Sequence, residues 1–382
     1  MKKKSEQEPK LPKRWVKCST EEEYFGDERK SSKAERKRVK AKDRSKYKKT
    51  DVKKQEQQVQ VFDPKALERG RVLSIASQGI YVQVGEEIIL CTLRGLLKKD
   101  KTQFKNLVTV GDFVFLERDI GGHGLIAQVE TRRTVLSRAE NLSRRKEQLI
   151  ASNIDQVIIV VSVVSPPLKP SLVDRYIIAA QKGGMEPVVV VNKIDLLETS
   201  TESDPTLEEE KQLYIAFLKA YQEAGIRVIP LSAVTKEGLE DLKLAMKDKA
   251  SVFSGQSGVG KSSLINMMTG KNLRVGGMVD KTNKGTHTTT TAQLLPLEFG
   301  GWCIDTPGIK SFGVWHLDQE EIKAYFPEIF EYGRNCRYPD CSHLSEESCA
   351  VIKAVEEGKI SILRYTSYFA LMESVANAHF RR

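Results

Sequence analysis

The chain has 382 residues, more than one typical domain, so two or three domains are expected. Its 61 Lys and Arg against 51 Asp and Glu give a formal charge of +10, and residues 1–60 hold all of this excess, with 21 basic and 11 acidic residues. The longest apolar run, residues 157–164, is far shorter than the roughly 20 residues of a membrane helix. We therefore expect a cytoplasmic protein without a membrane partner.

Residues 1–60 form a basic arm that is poor in aliphatic side chains. Such a segment cannot bury enough apolar surface to offset its loss of conformational entropy, so the arm is expected to be disordered when alone. Its Lys and Arg residues favour binding to a polyanion through the release of counterions. A merely solubilising tail is the alternative, whereas Glu21, Glu22 and Glu23 disfavour an organelle transit peptide.

Residues 61–136 show short stretches of alternating polar and apolar residues without helical periodicity. Gly, Asn and Asp turns separate them, which is typical of a small all-β barrel. The predicted strands are residues 70–74, 79–84, 88–93, 112–118 and 125–130.

After a polar connector at residues 137–152, the pattern changes to buried strands that alternate with helices. The predicted strands are residues 156–164, 187–191, 228–231, 252–254 and 302–304, and the helices between them include residues 171–182 and 206–224. Continuous β-branched runs of this kind indicate a doubly wound parallel sheet, whose ligand binds at the carboxyl ends of the strands.

A phosphate-binding loop follows one predicted strand and precedes a helical pattern at residues 262–269. Its glycines allow successive backbone N–H groups to face phosphate oxygens, and the helix N-terminus adds positive potential. Lys261 is expected to neutralise the β- and γ-phosphates, and Ser262 to bind Mg²⁺. The loop and its first helical residues are Gly255, Gln256, Ser257, Gly258, Val259, Gly260, Lys261, Ser262 and Ser263.

Two further segments complete a nucleotide site. Asp305 follows the strand at residues 302–304 and would organise Mg²⁺, while the Gly308 N–H would meet the γ-phosphate.

The second segment follows the strand at residues 187–191 and consists of Asn192, Lys193, Ile194 and Asp195. The Asp195 carboxylate can accept from N1–H and the amino group of guanine, and adenine has no N1 donor. Asn192 would brace the phosphate loop and Lys193 would cover the base.

Ser232 and Ala233 follow the strand at residues 228–231 and would offer a backbone N–H to the guanine carbonyl. Together with Asp195 they favour GTP over ATP. The base-reading segments precede the phosphate loop in the chain, the reverse of most GTPases, so the domain is interpreted as circularly permuted. Permutation is tolerated because domain termini often lie close together on the surface.

Three of the six cysteines lie in one window of 14 residues, within a C-terminal region that is predicted to be helical. Cys336, Cys341, His343 and Cys349 provide three thiolates and one imidazole, a set that suits one closed tetrahedral Zn²⁺ site. Because four ligands leave no open position for water, the metal is expected to be structural.

The permuted motif order, the N-terminal barrel and the C-terminal Cys/His cluster together resemble the RsgA (YjeQ) family. The resemblance covers roughly residues 61–368 and implies an oligonucleotide-binding (OB)-like barrel. It also implies a GTPase that uses Mg²⁺, converts GTP to GDP and phosphate, and is stimulated by the small ribosomal subunit. The implied role is in late maturation of that subunit, with the subunit and its rRNA as binding partners. A monomer is expected.

The segment between the phosphate loop and Asp305 is interpreted as a switch. A hydroxyl of Thr288, Thr289 or Thr290 would complete the magnesium shell, with Thr289 taken as the candidate. Ile309 occupies the position where Ras-like enzymes have a water-orienting Gln. His287 resembles the family's switch histidine and would position the water, with a contact to rRNA as the alternative.

The sequence therefore predicts a multidomain protein with an arm (1–60), an OB-like all-β barrel (61–136), a circularly permuted α/β P-loop GTPase domain (137–315) and a helical zinc-binding domain (316–382). Two other classes of function stay open. Ile309 is compatible with a nucleotide-gated RNA-binding factor of negligible catalysis, and an ATP-using assembly factor is disfavoured by Asp195.

Overall fold

The computed structural model describes seven stretches of the chain. From Arg69 onward these residues belong to one compact unit. Within them, no helix combines the length and the apolar character needed to cross a membrane. The predicted arm, His287, Thr289 and Gly308 lie outside the described residues. The described stretches are residues 67–94, 107–119, 121–139, 147–198, 205–270, 292–305 and 319–380.

The N-terminal strands form the predicted barrel. Strands β1, β2 and β3 are an antiparallel meander, β3 runs parallel to β5, β5 is antiparallel to β4, and β4 returns to β1. Alternate side chains such as Val72, Val82, Leu116 and Ile126 fill its core, as the period of two along a strand requires. The five strands are β1 (Glu68–Ala76), β2 (Gly79–Val84), β3 (Glu87–Leu93), β4 (Phe113–Arg118) and β5 (Gly124–Val129).

The predicted polar connector at 137–152 is wrong, because its described ends belong to an antiparallel hairpin of β6 (Val135–Ala139) and β7 (Glu147–Ser152). Pairing satisfies backbone groups of the two described ends, where the side chains of Leu136, Leu149 and Ala151 are buried. The apolar residues at the ends of a mostly polar segment therefore decide its structure.

The remaining strands form the predicted parallel sheet, in the order β10–β9–β8–β11–β13–β12. The strand β12 was not predicted; it is antiparallel to β13 and its residue Gln293 bridges Ser74 of β1, which joins barrel and parallel sheet into 11 strands. The strands are β8 (Gln156–Ser162), β9 (Glu186–Asn192), β10 (Arg227–Pro230), β11 (Ala250–Ser254), β12 (Gln293–Pro296) and β13 (Trp302–Asp305).

Helices pack on this sheet and continue into the C-terminal region. Side chains of α3 and α4 share one core with Ile158, Val160, Val188 and Val190, while α1 contacts β8 and β9 and α2 contacts β10. A 3₁₀ helix (Ile194–Leu197) follows β9. The α-helices are α1 (Pro170–Lys182), α2 (Pro205–Glu223), α3 (Leu239–Met246), α4 (Lys261–Thr269), α5 (Gln319–Ala324), α6 (Pro327–Gly333), α7 (Ala350–Glu356) and α8 (Ile362–Phe380).

A buried ion group joins the C-terminal helices to the parallel-sheet domain. Arg364 of α8 donates to the Asp174 carboxylate of α1 and, through Nε, to Glu328 of α6 at 2.7 Å. Arg364 and Asp174 are 2 % and 0 % exposed. The guanidinium also lies 4.4 Å from the ring centroid of Phe326 and 5.2 Å from that of Tyr221. Burial raises the pKa of Asp174, and the charge of Arg364 opposes this rise.

We expect Arg364→Ala to lower the free energy of unfolding by about 3–5 kcal/mol, because it leaves Asp174 as an uncompensated buried charge. Urea unfolding measures this loss. The control is Lys182→Ala, which removes a half-exposed pair with Glu321 (2.9 Å) between α1 and α5 and should cost less than about 1 kcal/mol. Equal losses in the two variants would contradict a special role for the buried group.

Candidate nucleotide site and metal cluster

The phosphate loop lies between β11 and α4, as its motif requires. Gly255 and Gly260 have φ angles of +135° and +97°, which residues other than glycine rarely adopt. A Cβ on Gly255 would lie 2.1 Å from the Val160 carbonyl oxygen, and one on Gly260 would lie 2.4 Å from Asn192 Nδ2. Both positions therefore need glycine, for backbone conformation and for close packing against β8 and β9.

The charged end of Lys261 folds back onto this loop. Its Nζ donates to the Gly255 carbonyl at 2.6 Å and to that of Gln256. Helix α4 begins at Lys261 after Gly260, which has no side chain to cap the first turn. The ammonium group of Lys261 and the backbone amides of the first turn of α4 thus lie beside the same loop, an arrangement that is suited to binding phosphate.

Asn192 connects this loop to the segment after β10. Its Nδ2 donates to the Val259 carbonyl at 2.8 Å, and its Oδ1 accepts from the Ala233 N–H at 3.1 Å. The side chain is almost completely buried. Both functional groups of the amide are therefore used inside the protein, and they hold two loops at a constant separation.

Asp195 is oriented by the same neighbouring segment. The Ser232 hydroxyl donates to Asp195 Oδ1 at 2.6 Å and accepts from the N–H groups of Val234 and Thr235 at 3.2 and 3.1 Å. Because the hydroxyl has its acceptor and its donors in place, the Asp195 carboxylate has a defined direction beside the loop.

The predicted backbone donors to the guanine carbonyl already have partners. The Ser232 N–H donates to the Glu237 carbonyl at 3.1 Å, and the Ala233 N–H donates to Asn192. A base would therefore have to share the Ala233 donor with Asn192 or displace it. The sequence could not reveal this, since the competing acceptor belongs to a different strand end.

A segment that the sequence reasoning missed lies beside the loop. Lys193 has a left-handed φ of 66° and its Nζ donates to the Ser165 carbonyl. A Cβ on Gly258 would lie 3.7 Å from Pro166 Cδ, so this turn after β8 reaches the phosphate loop. Its position at the carboxyl end of a parallel strand was the available signal.

Asp305 is the last residue of β13, and β13 runs parallel to β11. Its backbone therefore reaches the same edge of the sheet as the phosphate loop. Within the described residues, the structure brings five predicted parts to this edge: Asn192, Asp195, the pair Ser232 and Ala233, the loop with Lys261, and Asp305.

The predicted cysteine and histidine residues form a cluster in the C-terminal region. The potential ligand atoms of Cys336, Cys341, His343 and Cys349 lie within 4.8 Å of one another. Cys336 Sγ is 3.8 Å from Cys349 Sγ, and both sulfurs are 3.5 Å from His343 Nδ1. A tetrahedral zinc with Zn–S bonds of about 2.3 Å has sulfurs about 3.8 Å apart, so these distances fit a metal ion.

Neighbouring groups hold the cluster in shape. Tyr365 donates to the His343 carbonyl at 2.9 Å, and Tyr368 donates to the Ser342 carbonyl at 2.8 Å. Partial burial opposes ionisation of Glu346, but hydrogen bonds from Ser342 and nearby N–H groups lower its pKa to about 2. Burial raises the pKa of Cys341 to about 12, so a cation is what would hold this thiol as a thiolate.

The phosphate loop at the edge of a parallel sheet, preceded in the chain by the Asn192 and Ser232 segments, defines a circularly permuted P-loop GTPase. Residues 129–315 match the RsgA GTPase family. The small ribosomal subunit biogenesis GTPase RsgA of Chlorobaculum tepidum is 38 % identical over 319 residues, which cover 80 % of this chain and 98 % of that protein. The chain therefore belongs to the RsgA family and is a GTPase.

Two solved structures agree with this assignment. YjeQ from Thermotoga maritima superposes with a TM-score of 0.63 and 33 % identity, covering 81 % of this chain and 99 % of that one. YloQ, described as a circularly permuted GTPase, superposes with a TM-score of 0.62 and 28 % identity, covering 82 % and 96 %. The predicted family and fold class are confirmed.

We expect Asn192→Ala to weaken GDP binding by about tenfold or more, because the Val259 carbonyl and the Ala233 N–H both lose their partner. Titration with a fluorescent GDP analogue measures this. Gln156→Ala is the control, since buried Gln156 Nε2 donates to the Ala245 carbonyl and to Ser251 Oγ, both at 2.9 Å, at the opposite edge of the sheet. An equal loss of affinity in both variants would show a general effect of destabilisation.

Proposed function

We propose that this GTPase binds the small ribosomal subunit and its rRNA, and that it hydrolyses GTP to GDP and phosphate during late maturation of that subunit. The observation that carries the proposal is the set of predicted nucleotide-site residues at one edge of the sheet. The chain that contains them spans 98 % of a relative named small ribosomal subunit biogenesis GTPase RsgA. The basic arm at residues 1–60 would add electrostatic affinity for rRNA. We further propose a cytoplasmic monomer.

In the proposed site, phosphate, metal and base are bound by separate segments. Gly255 to Gly260 enclose the phosphates, Lys261 neutralises the β- and γ-oxygens, and Ser262 with Asp305 organises Mg²⁺ beside Ser263. Asn192, Lys193, Ile194 and Asp195 hold the guanine with Ser232 and Ala233. The contacts of Lys261 and Asp195 described above support these roles, since hydrogen bonds to other protein groups orient both side chains.

Apart from Lys261, the residues with proposed catalytic roles lie outside the described part of the chain. We propose that Thr289 completes the magnesium shell, that the Gly308 N–H contacts the γ-phosphate, and that His287 positions the attacking water. Ile309 has no polar group for that last task. His287 is therefore the group on which stimulated turnover should depend.

Multiple-turnover phosphate release, with and without purified small subunits, tests the proposed function. We expect the subunit to raise the turnover rate. We expect His287→Ala to lower the subunit-stimulated rate by roughly 100-fold, because general acid–base or water-positioning groups contribute on that order. His123→Ala, in an exposed barrel loop, is the control.

The outcomes separate the hypotheses. Tight GTP binding without turnover in either condition would favour a nucleotide-gated RNA-binding factor. Stimulated turnover that survives His287→Ala would overturn the role of this histidine and leave the proposed function standing.

The guanine assignment has its own test. Asp195→Asn replaces a carboxylate by an amide that can donate to the C2 carbonyl of xanthine but no longer accepts two guanine donors. We expect GTP affinity to fall by roughly 100-fold and affinity for xanthosine triphosphate to rise. Competition binding measures both, and Asp241→Asn on the exposed face of α3 should change neither. An unchanged nucleotide preference would show that guanine is read elsewhere.

We also propose that the Cys336, Cys341, His343 and Cys349 cluster holds one structural Zn²⁺, which would fix the loops between α6 and α7. We expect about one zinc per chain, and Cys349→Ala should lose the metal and lower the unfolding temperature. Cys91→Ala removes a buried thiol of the barrel and should keep the metal. Metal analysis of both variants checks this, and zinc retained in Cys349→Ala would contradict the ligand set.

A further inference from the structure

A second cleft lies where the barrel meets the parallel sheet. It has a volume of about 650 Å³, within the range of about 300–1,000 Å³ that is common for small-ligand sites. Trp302 begins β13 and Asp155 directly precedes β8, so the cleft lies at the amino ends of the parallel strands, away from the phosphate loop. Its main lining residues are Arg69, Arg71, Phe113, Arg133, Asp155 and Trp302.

Guanidinium groups and aromatic rings are stacked in this cleft. The Cζ atoms of Arg69 and Arg71 lie 4.2 and 5.1 Å from the ring centroid of Phe113, and that of Arg71 lies 4.7 Å from the ring of Trp302. Burial lowers the pKa of Arg71 to about 10, so this side chain is still a cation at neutral pH. The stack thus combines positive charge with flat surfaces, which is how proteins hold unpaired nucleobases.

Arg71 has a structural role in this stack, because it connects the barrel to the parallel sheet. Its side chain donates to the Asn153 carbonyl at 3.0 Å and lies between one ring of the barrel and one of the parallel sheet. Even so, neither Arg71 Nε nor Trp302 Nε1 has a hydrogen-bond acceptor among the described residues, although both atoms are buried. Unsatisfied donors cost stability, and natural proteins tolerate such costs mainly where function requires the residues.

Arg69 and Arg133 present exposed guanidinium groups at the cleft, since their side chains are 56 % and 68 % exposed. Arg133 approaches Asp155 at 3.8 Å, and an exposed pair of this kind contributes little to stability. Arg69 donates to both carboxylate oxygens of Glu130, at 2.7 and 3.0 Å, so this pair orients the guanidinium beside the Phe113 ring while more than half of the side chain stays open to an incoming anion. Both guanidinium groups lie around the Phe113 ring and the Asp155 carboxylate.

We propose that this cleft binds an unpaired RNA nucleotide, with its base against the Phe113 and guanidinium stack and its phosphate at Arg69 and Arg133. The carboxylates of Asp155 and Asp248 can accept from the amino groups of a base, whereas a site for phosphate alone would not contain them. A duplex is a poor ligand because its base faces are already stacked. The identity of the RNA as rRNA rests on the proposed function; the chemistry of the cleft does not.

The test uses the full chain and a fluorescent single-stranded RNA of mixed sequence, in about 0.2 M salt to weaken the non-specific contribution of the arm. We expect the double variant Arg69→Ala, Arg133→Ala to bind this strand about five- to tenfold more weakly, while its GDP affinity, which also shows that the variant is folded, is unchanged. The control is Arg118→Ala, which removes another exposed barrel pair, to Glu87 at 2.7 Å, outside the cleft.

Photo-crosslinking of the wild type to 4-thiouridine RNA locates the contact, and crosslinks to peptides that contain Phe113 or Trp302 support the proposal. Equal RNA affinity in the double variant and in Arg118→Ala would overturn it. Competition by free uridine monophosphate at the same concentration as the strand would also overturn it, in favour of a mononucleotide site. Subunit-stimulated turnover of the wild type is measured separately, so failure of the cleft and failure of the proposed function are distinguishable.

Discussion

The proposed nucleotide site depends on the two hydrogen bonds of one buried amide. Parallel strands end at the same edge of a sheet, so the loops after β9, β10 and β11 meet there, but nothing in the sheet fixes their separation. Asn192 does so by donating to the Val259 carbonyl and accepting from the Ala233 N–H. An aspartate would lack the donor and a leucine would lack both groups. The close approach also explains why Gly260 has no side chain, since a Cβ would lie 2.4 Å from Asn192 Nδ2.

Because strand ends meet in space whatever their order in the chain, circular permutation leaves this edge intact and changes the chain connections only at the old and the new termini. Here β13, which carries Asp305, is succeeded by the C-terminal helices. Those helices are bound back to α1 through Arg364 and Asp174, and through Lys182 and Glu321. The C-terminal helices are therefore attached to the parallel-sheet domain by side-chain contacts as well as by the chain itself.

The sequence was most informative where one residue type suits one local requirement. The strands of barrel and parallel sheet, the glycines of the phosphate loop and the four metal-ligand candidates were all predictable, because each depends on short-range pattern or spacing. The hairpin of β6 and β7 was missed because its buried residues Leu149 and Ala151 lie in a mostly polar stretch, and Ala151 forms its bridge with Val110, which is distant in the chain. Strand β12 has two adjacent buried leucines and no β-branched residue, so it shows neither the alternation nor the β-branched run that marks a strand in the sequence. The hydrogen bond from the Ala233 N–H to Asn192 joins residues 41 positions apart, so no local sequence pattern predicts it.

Net charge separates the two modes of nucleic-acid binding that we propose for this chain. The arm holds the whole excess of +10 in a continuous stretch, so composition alone reveals it, and its affinity is expected to depend on salt rather than on base identity. In the cleft, Arg69 and Arg133 are offset by Glu130 and Asp155, so the local charge nearly cancels and no composition window detects it. One signal was still present: Arg69 and Arg71 are two positions apart on β1 and share one face of the strand. Their common contact with Phe113 shows that arrangement, and not the amount of charge, distinguishes this surface.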